Sequence, residues 1–304
     1  MNKIIFIVFI LLTSSFANAQ NSGMASRDSI AQLGKILYGN GNDSIKKVTN
    51  LKIEQLFEEI LLAENSSVLN FDSLRFIKVI STDDAGLKLL TWAVPLSNGS
   101  FLYSGFIQKF DKKRTIGKVF RLKNNSTEID LFKSYPPENW PGAVYSRIIE
   151  TKFGKQSFYT LFGWIGGVQG ATYRIIETMI FTEDGNPVFG QPVFSGLSGR
   201  LQFRVIFKYN SQVPFHLGYE KQLIPGSKKQ REYMIVFNRL IASKPEMGLS
   251  PGLKVADYSL FDGFISKDDR WVFVENVDVR MPEQKNSSAR PPDDLELAPA
   301  TKRK

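Results

Sequence analysis

Apolar residues recur along this chain in two rhythms, and the change between them falls near Phe71. Before it the spacing is helical. Ile30, Leu33 and Leu37 stand at i, i+3 and i+7, and Gly39 and Gly41 break the pattern. A second helix follows, with Asp43 as its expected cap. Its apolar stripe is Ile53, Leu56, Phe57, Ile60 and Leu61, with Glu54, Glu58 and Glu59 on the polar surround.

After Phe71 the rhythm becomes short β-rich runs separated by turn residues. "RFIKVIS" (75–81), "LKLLTWAV" (87–94) and "FLYSGFIQKF" (101–110) are broken by Asp83-Asp84-Ala85-Gly86 and Ser97-Asn98-Gly99-Ser100. Asn-Gly favours the positive φ angles of a tight hairpin. Six later runs behave alike: 156–164, 172–181, 200–209, 232–241, 257–265 and 270–279. In "RLQFRVIFKY" (200–209), Leu201, Phe203, Val205 and Phe207 alternate with Gln202, Arg204, Ile206 and Lys208, the mark of a half-buried antiparallel strand. No strand–long helix–strand rhythm occurs, which argues against a parallel doubly wound sheet. The pattern predicts an α+β fold, mainly β: two N-terminal helices packed on a large, mostly antiparallel β-structure.

The two ends read differently. "MNKIIFIVFILLTSSFANAQ" has a lysine, an unbroken apolar run over 4–12 and Ala17-Asn18-Ala19 before Gln20, which predicts a secretory signal peptide over 1–19. The run is shorter than the roughly 20 apolar residues of a membrane span, and no later segment is apolar enough to cross. Residues 20–70 form the helical segment, 71–280 the β-rich domain, and the polar, proline-bearing stretch 281–304 a disordered tail. The expected location is outside the cytoplasm, in the periplasm or beyond it.

Composition narrows the chemistry. With no cysteine, thiol nucleophiles, thiolate zinc sites and iron–sulfur clusters are excluded. His216 is the only histidine, so a zinc site with several histidine ligands is excluded too, and no G-x-S-x-G element presents a serine to it. No calcium loop pattern is present. "GWIGGVQG" (163–170) is glycine-rich, but its spacing fits neither a dinucleotide fingerprint nor a P-loop, and a strand follows it. It predicts a hairpin whose glycines supply positive φ or close approach, and no cofactor is expected. Carboxylates remain: Asp257, Asp262, Asp268 and Asp269 near two late strands, with Glu150 and Glu177 beside others. The odd spacing of Asp257 and Asp262 sets them on opposite faces of one strand, and Asp268-Asp269 read as a turn.

Charge supplies the last signal. The formal net charge is +9. Within 107–123, Lys109, Lys112, Lys113, Arg114, Lys118, Arg121 and Lys123 face one Asp111. A second cluster is Lys221, Lys228, Lys229 and Arg231. Such stretches suit an acidic glycan or another polyanion of the envelope, or else solvated strand edges; export makes nucleic acid an unsuitable partner. The elements Leu161-Phe162-Gly163-Trp164 and "PVFGQPVF" (187–194), with "YMIVFNRL" (233–240) and "DYSLFDGFISKDDRWVFVENVDV" (257–279), resemble a family of uncharacterised exported proteins of Gram-negative bacteria over about residues 75–280. The resemblance implies an exported, mostly β protein and carries over no functional residue. The expected function is a non-catalytic cell-envelope protein with a binding or structural role, contacting an acidic glycan or other polyanion through the stretch at 109–123. The alternative is a carboxylate-based hydrolase of envelope polysaccharide.

Overall fold

The computed structural model describes residues 27–279 apart from 65, 112–116, 126–127, 155, 228, 245–246 and 250–251. The expected signal peptide and tail lie outside the described residues. Helix α1 covers 27–37 and α2 covers Asp43–Leu62. The cap of α2 is Asn42 rather than Asp43: the Asn42 side chain accepts the Ile45 N–H at 2.9 Å, satisfying a donor that no helical carbonyl can reach. Asp43, already inside the helix, accepts from the Ser97 N–H at 2.9 Å and the Ser97 hydroxyl at 2.7 Å. It therefore ties the helix start to a strand turn.

Three sheets follow, each largely a run of consecutive strands. Sheet A has β1 (Lys78–Ser81), β2 (Leu87–Pro95), β3 (Phe101–Phe110) and β4 (Gly117–Lys123), in that order and antiparallel. Sheet B contains β5 (Val144–Phe153), β6 (Gln156–Gly166) and β7 (Ala171–Phe181). β8 (Pro187–Phe189) and β10 (Arg204–Asn210) both pair with β7, and the order is β5-β6-β7-β10. The two-residue strand β9 is Phe194–Ser195. Sheet C runs β11 (Leu217–Leu223), β12 (Arg231–Ala242), β13 (Lys254–Lys267) and β14 (Arg270–Val274), with β9 added in parallel at the β14 edge. The remaining pairings are antiparallel, as the turn chemistry predicts. Asp268 and Asp269 both hold positive φ, 50° and 55°, between Lys267 and Arg270, which is what a two-residue hairpin connection requires.

The layers stack in series. Ile30, Leu37, Ile53, Phe57, Ile60 and Leu61 of the helices bury against Leu90, Trp92, Val94 and Phe106 of sheet A. The other face of sheet A packs on sheet B through Leu89, Ile107, Tyr145, Leu161, Ile175 and Met179. The far face of sheet B packs on sheet C through Phe162, Ile176, Val205, Phe237, Phe264 and Trp271. Sheets A and B are thus covered on both faces, and β2 is buried at each position except Pro95.

This stacking corrects two sequence expectations. β10 is only partly solvated on its polar face: Val205 and Phe207 face sheet C and Lys208 is exposed, but Arg204, on the face read as polar, is completely buried toward sheet A. Nor does Glu54 belong to the polar surround of α2. It is buried, ion-paired with Arg121 of β4, and accepts from Asn50 at 3.1 Å. Asn50 in turn accepts the Trp92 indole N–H at 2.7 Å and donates to Ser104 at 2.8 Å. A polar knot therefore sits under the helix where the stripe alone suggested only apolar packing.

Candidate functional site

The basic stretch is built on a hairpin. β3 and β4 pair from Ser104↔Lys123 to Phe110↔Gly117, so residues two apart on each strand share a face. Lys109 and Lys118 are directly opposed. Both turn toward sheet B, where Lys109 Nζ stands 3.8 Å from the centre of the Phe181 ring. Lys118 Nζ lies 5.0 Å from the Phe120 ring and donates to Asn186 Oδ1 at 3.4 Å. Phe181 packs edge-on against Tyr159 and tilted against Phe120, so the two ammonium groups rest on an aromatic floor. Among the described residues neither lysine has a carboxylate within ion-pair distance. Partial burial, and then the charge of Lys118, push the Lys109 ammonium down from its ordinary value.

The structure does not gather the whole stretch into one patch. Arg121 and Lys123 stand on the opposite face of β4, and Arg121 is taken up by Glu54. Lys112, Lys113 and Arg114, between the two strands, lie outside the described residues. Phe181 and Asn186, which complete the surroundings of Lys109 and Lys118, come from β7 and the turn after it. Nothing local in the sequence joins either residue to a lysine so far away along the chain.

Four of the candidate carboxylates, Asp257, Asp262, Glu177 and Asp269, hold local structure. Asp257 accepts from the Ser259 N–H at 2.8 Å, its hydroxyl at 2.7 Å and the Leu260 N–H at 3.2 Å, and these bonds keep its carboxyl below the usual range. Asp262 takes a two-pronged bond from Arg239, Nε at 2.9 Å and Nη2 at 2.5 Å, and also accepts the Asn276 N–H at 3.1 Å. The register between β12 and β13 shifts at Asn238/Leu240, against the stretch that carries Asp257. Glu177 is wholly buried and bonded to Arg204 at 2.6 Å. Asp269 accepts the Gly154 N–H at 3.0 Å and so pins the β13–β14 turn to sheet B. Among the described residues no group of three or more His, Asp or Glu is placed to share a metal ion.

His216 immediately precedes β11, on the rim of a shallow groove of about 460 Å³ over the outer face of sheet C, lined by Phe215, Glu220, Asn238, Tyr258 and Phe261 among others. Its Nε2 is 3.0 Å from Glu220 Oε1, and its backbone N–H donates to Asn238 Oδ1 at 2.7 Å. The side chain is 44% exposed. Among the described residues no serine or threonine lines the groove.

The glycine-rich segment joins β6 to β7 as a hairpin, with Gly166 opposite Thr172. Positive φ falls on Gln169 (55°) and Gly170 (78°), not on Gly166 or Gly167. The latter two are needed for closeness. A Cβ on Gly166 would lie 2.2 Å from the Phe101 ring, and one on Gly167 would lie 2.5 Å from the Ala171 carbonyl oxygen. The space a side chain would need at these two positions is already filled, by the Phe101 ring and by the Ala171 carbonyl.

Among the described residues no helix is long and apolar enough to cross a membrane. Comparison with known proteins returned no matching family model, no matching curated protein and no matching solved structure.

Proposed function

We propose that this chain is an exported, non-catalytic protein of the cell envelope that binds an acidic glycan or comparable polyanion at the β3–β4 hairpin. The observation that carries the reading is the cross-strand pair Lys109–Lys118. Like charges placed directly opposite in a sheet are destabilising. Here they are set on an aromatic floor with no described carboxylate between them. A polyanion laid across the hairpin supplies the missing countercharge. The three cations of the connecting segment, Lys112, Lys113 and Arg114, extend the same charge along the chain. The export half of the reading is supported by the signal-peptide pattern of residues 1–19.

Binding of this kind is electrostatic and weakens as ionic strength rises past about 0.15 M, where the screening length is roughly 8 Å. The test is retention on an acidic polysaccharide matrix across a salt gradient. The chain is compared with Lys112→Glu/Lys113→Glu/Arg114→Glu and, separately, with Lys109→Gln/Lys118→Gln. Both variants should elute at lower salt than the unaltered chain. Equal elution of all three would remove the reading.

A further inference from the structure

We propose a second contact surface, distinct from the hairpin: the outward face of the helical layer, which lies on an anionic lipid surface. The stripe of α2 that packs on sheet A is Ile53, Phe57, Ile60 and Leu61. On the opposite side, where a surface helix ordinarily carries polar residues, α2 presents Ile45 (49% exposed), Val48 (68%) and Leu51 (52%). Ile36 at the end of α1, 43% exposed, continues the patch: its carbonyl and the Ile45 side chain both flank Gly41. Helical geometry sets Lys47 and Lys52 to either side of the Val48–Leu51 line, and both are exposed. Lys46 is held inward by the Pro95 carbonyl at 2.9 Å.

The charges of α2 are arranged against the needs of the helix itself. Carboxylates stabilise a helix near its N-terminus and ammonium groups near its C-terminus. In α2 Asp43, in the first turn, follows that rule, but Lys46, Lys47 and Lys52 occupy the rest of the first half and Glu54, Glu58 and Glu59 the second, and the last turn carries no basic residue. Helix stability therefore does not explain these lysines. An anionic plane does: apolar side chains enter the headgroup boundary while flanking lysines reach phosphate groups along their flexible stems. The surface is a convex helix flank rather than a cleft, which fits a planar partner. The helical layer sits at the opposite end of the stack from sheet C, so contact through it leaves the rest of the molecule in water.

The absence of cysteine makes the test site-specific. In the full chain, Val48→Cys and Leu51→Cys each carry one environment-sensitive fluorophore, with Lys221→Cys on β11 as the distant control. Each is mixed with phosphatidylcholine vesicles, with or without phosphatidylglycerol. The expected result is a blue shift and intensity gain at positions 48 and 51 with phosphatidylglycerol vesicles only, and none at 221. Adding Lys47→Ser/Lys52→Ser should weaken vesicle affinity by about tenfold. Lys112→Glu/Lys113→Glu/Arg114→Glu should leave the shift in place, which separates this surface from the hairpin whichever of the two fails. No shift at 48 and 51 overturns the proposal, as does an equal shift at 221, an equal response to neutral vesicles, or loss of the shift in the hairpin variant. A shift that follows protein concentration without vesicles assigns the face to a second copy instead. A label already shielded before lipid is added assigns it to the chain's own residues 1–26.

Discussion

The two faces of sheet B are held by different physics. Toward sheet A the interface contains a buried polar chain. The Trp140 indole N–H donates to Tyr145 Oη at 3.0 Å, and Tyr145 donates to Glu177 Oε2 at 2.9 Å. Arg204 donates from Nε to Glu177 Oε1 at 2.6 Å, and from Nη1 to the carbonyls of Asp130 and Lys133. All four side chains are fully buried. Toward sheet C the interface is aromatic: Phe153, Phe158, Phe162, Phe237, Phe264 and Trp271 interlock, and Trp271 reaches across to Thr160 at 3.0 Å. The aromatic face gains from area and tolerates small shifts in geometry. The polar face gains only while its bonds are complete, because a charge taken out of water is repaid by its partners alone. What it adds is direction: Arg204 fastens the chain between sheets A and B at two carbonyls and presses against Gly190, where a Cβ would fall 2.2 Å from Nη2.

The contrast breaks most sharply at Arg204. Arg204→Met should destabilise by about 3–5 kcal/mol by leaving Glu177 buried and uncompensated. The double variant Arg204→Met/Glu177→Leu should lose less than the sum of the two single changes. Denaturant unfolding of all four proteins gives the cycle, and strict additivity would show that the pair does not act as a unit. At the turn where β6 meets β7, Gly167→Ala should cost about 1–3 kcal/mol because the new methyl meets backbone. Gly166→Ala should cost less, since the Phe101 ring can rotate away; thermal unfolding would rank them. On the aromatic face, Phe264→Leu should cost only about 1 kcal/mol with cooperativity retained, the mark of an interface that repacks. A loss as large as that of Arg204→Met would erase the distinction.

The smallest effect is silent at neutral pH. Burial pushes the phenol of Tyr103, in the interface of sheets A and B, up to about 12, and does the same to Tyr159 elsewhere in that interface. Tyr145 is raised well above its ordinary value of 10.0, by burial first and then by the Glu177 charge. Because the folded state favours the neutral phenol, its stabilisation is complete below about pH 10 and is lost as pH climbs toward 12. Denaturation midpoints should fall between pH 9.5 and 11.5, values chosen about the ordinary phenol range. Tyrosinate absorbance from these residues should appear together with unfolding rather than before it. Independent ionisation in a still-folded protein would contradict the burial assigned to them.

Much of this fold was legible before any coordinate. The helical spacing of Ile53, Phe57, Ile60 and Leu61, the glycine break before α2, the runs at 87–94 and 101–110, and the Asp268-Asp269 turn all stand where the periodicity put them. Such features are local, written in the spacing of residues within one element. β5 and β11 escaped notice because "VYSRIIETKF" and "LGYEKQL" scatter charge along their length. β4 was hidden under its lysines and arginine. The candidate site was legible only as a density of positive charge. That Lys109 and Lys118 share a face, and that Arg121 does not, follows from the register of β3 on β4. That Phe181 underlies them follows from how sheet B lies on sheet A.

The amino-acid order by itself determined the two helices and those strands whose apolar residues recur at a regular spacing, because that spacing dictates which residues of a single element can share an apolar face. Only the tertiary structure decided which of the remaining faces meet water. A polar residue at every second position looks like a solvent face until another sheet covers it, and the covering sheet is encoded far along the chain. Arg204, Glu177 and Glu54 look from their neighbours like exposed charges. They are buried because sheets A, B and C stack in series beneath the helices, and their charges are tolerable there because that same stacking brings each one its partner.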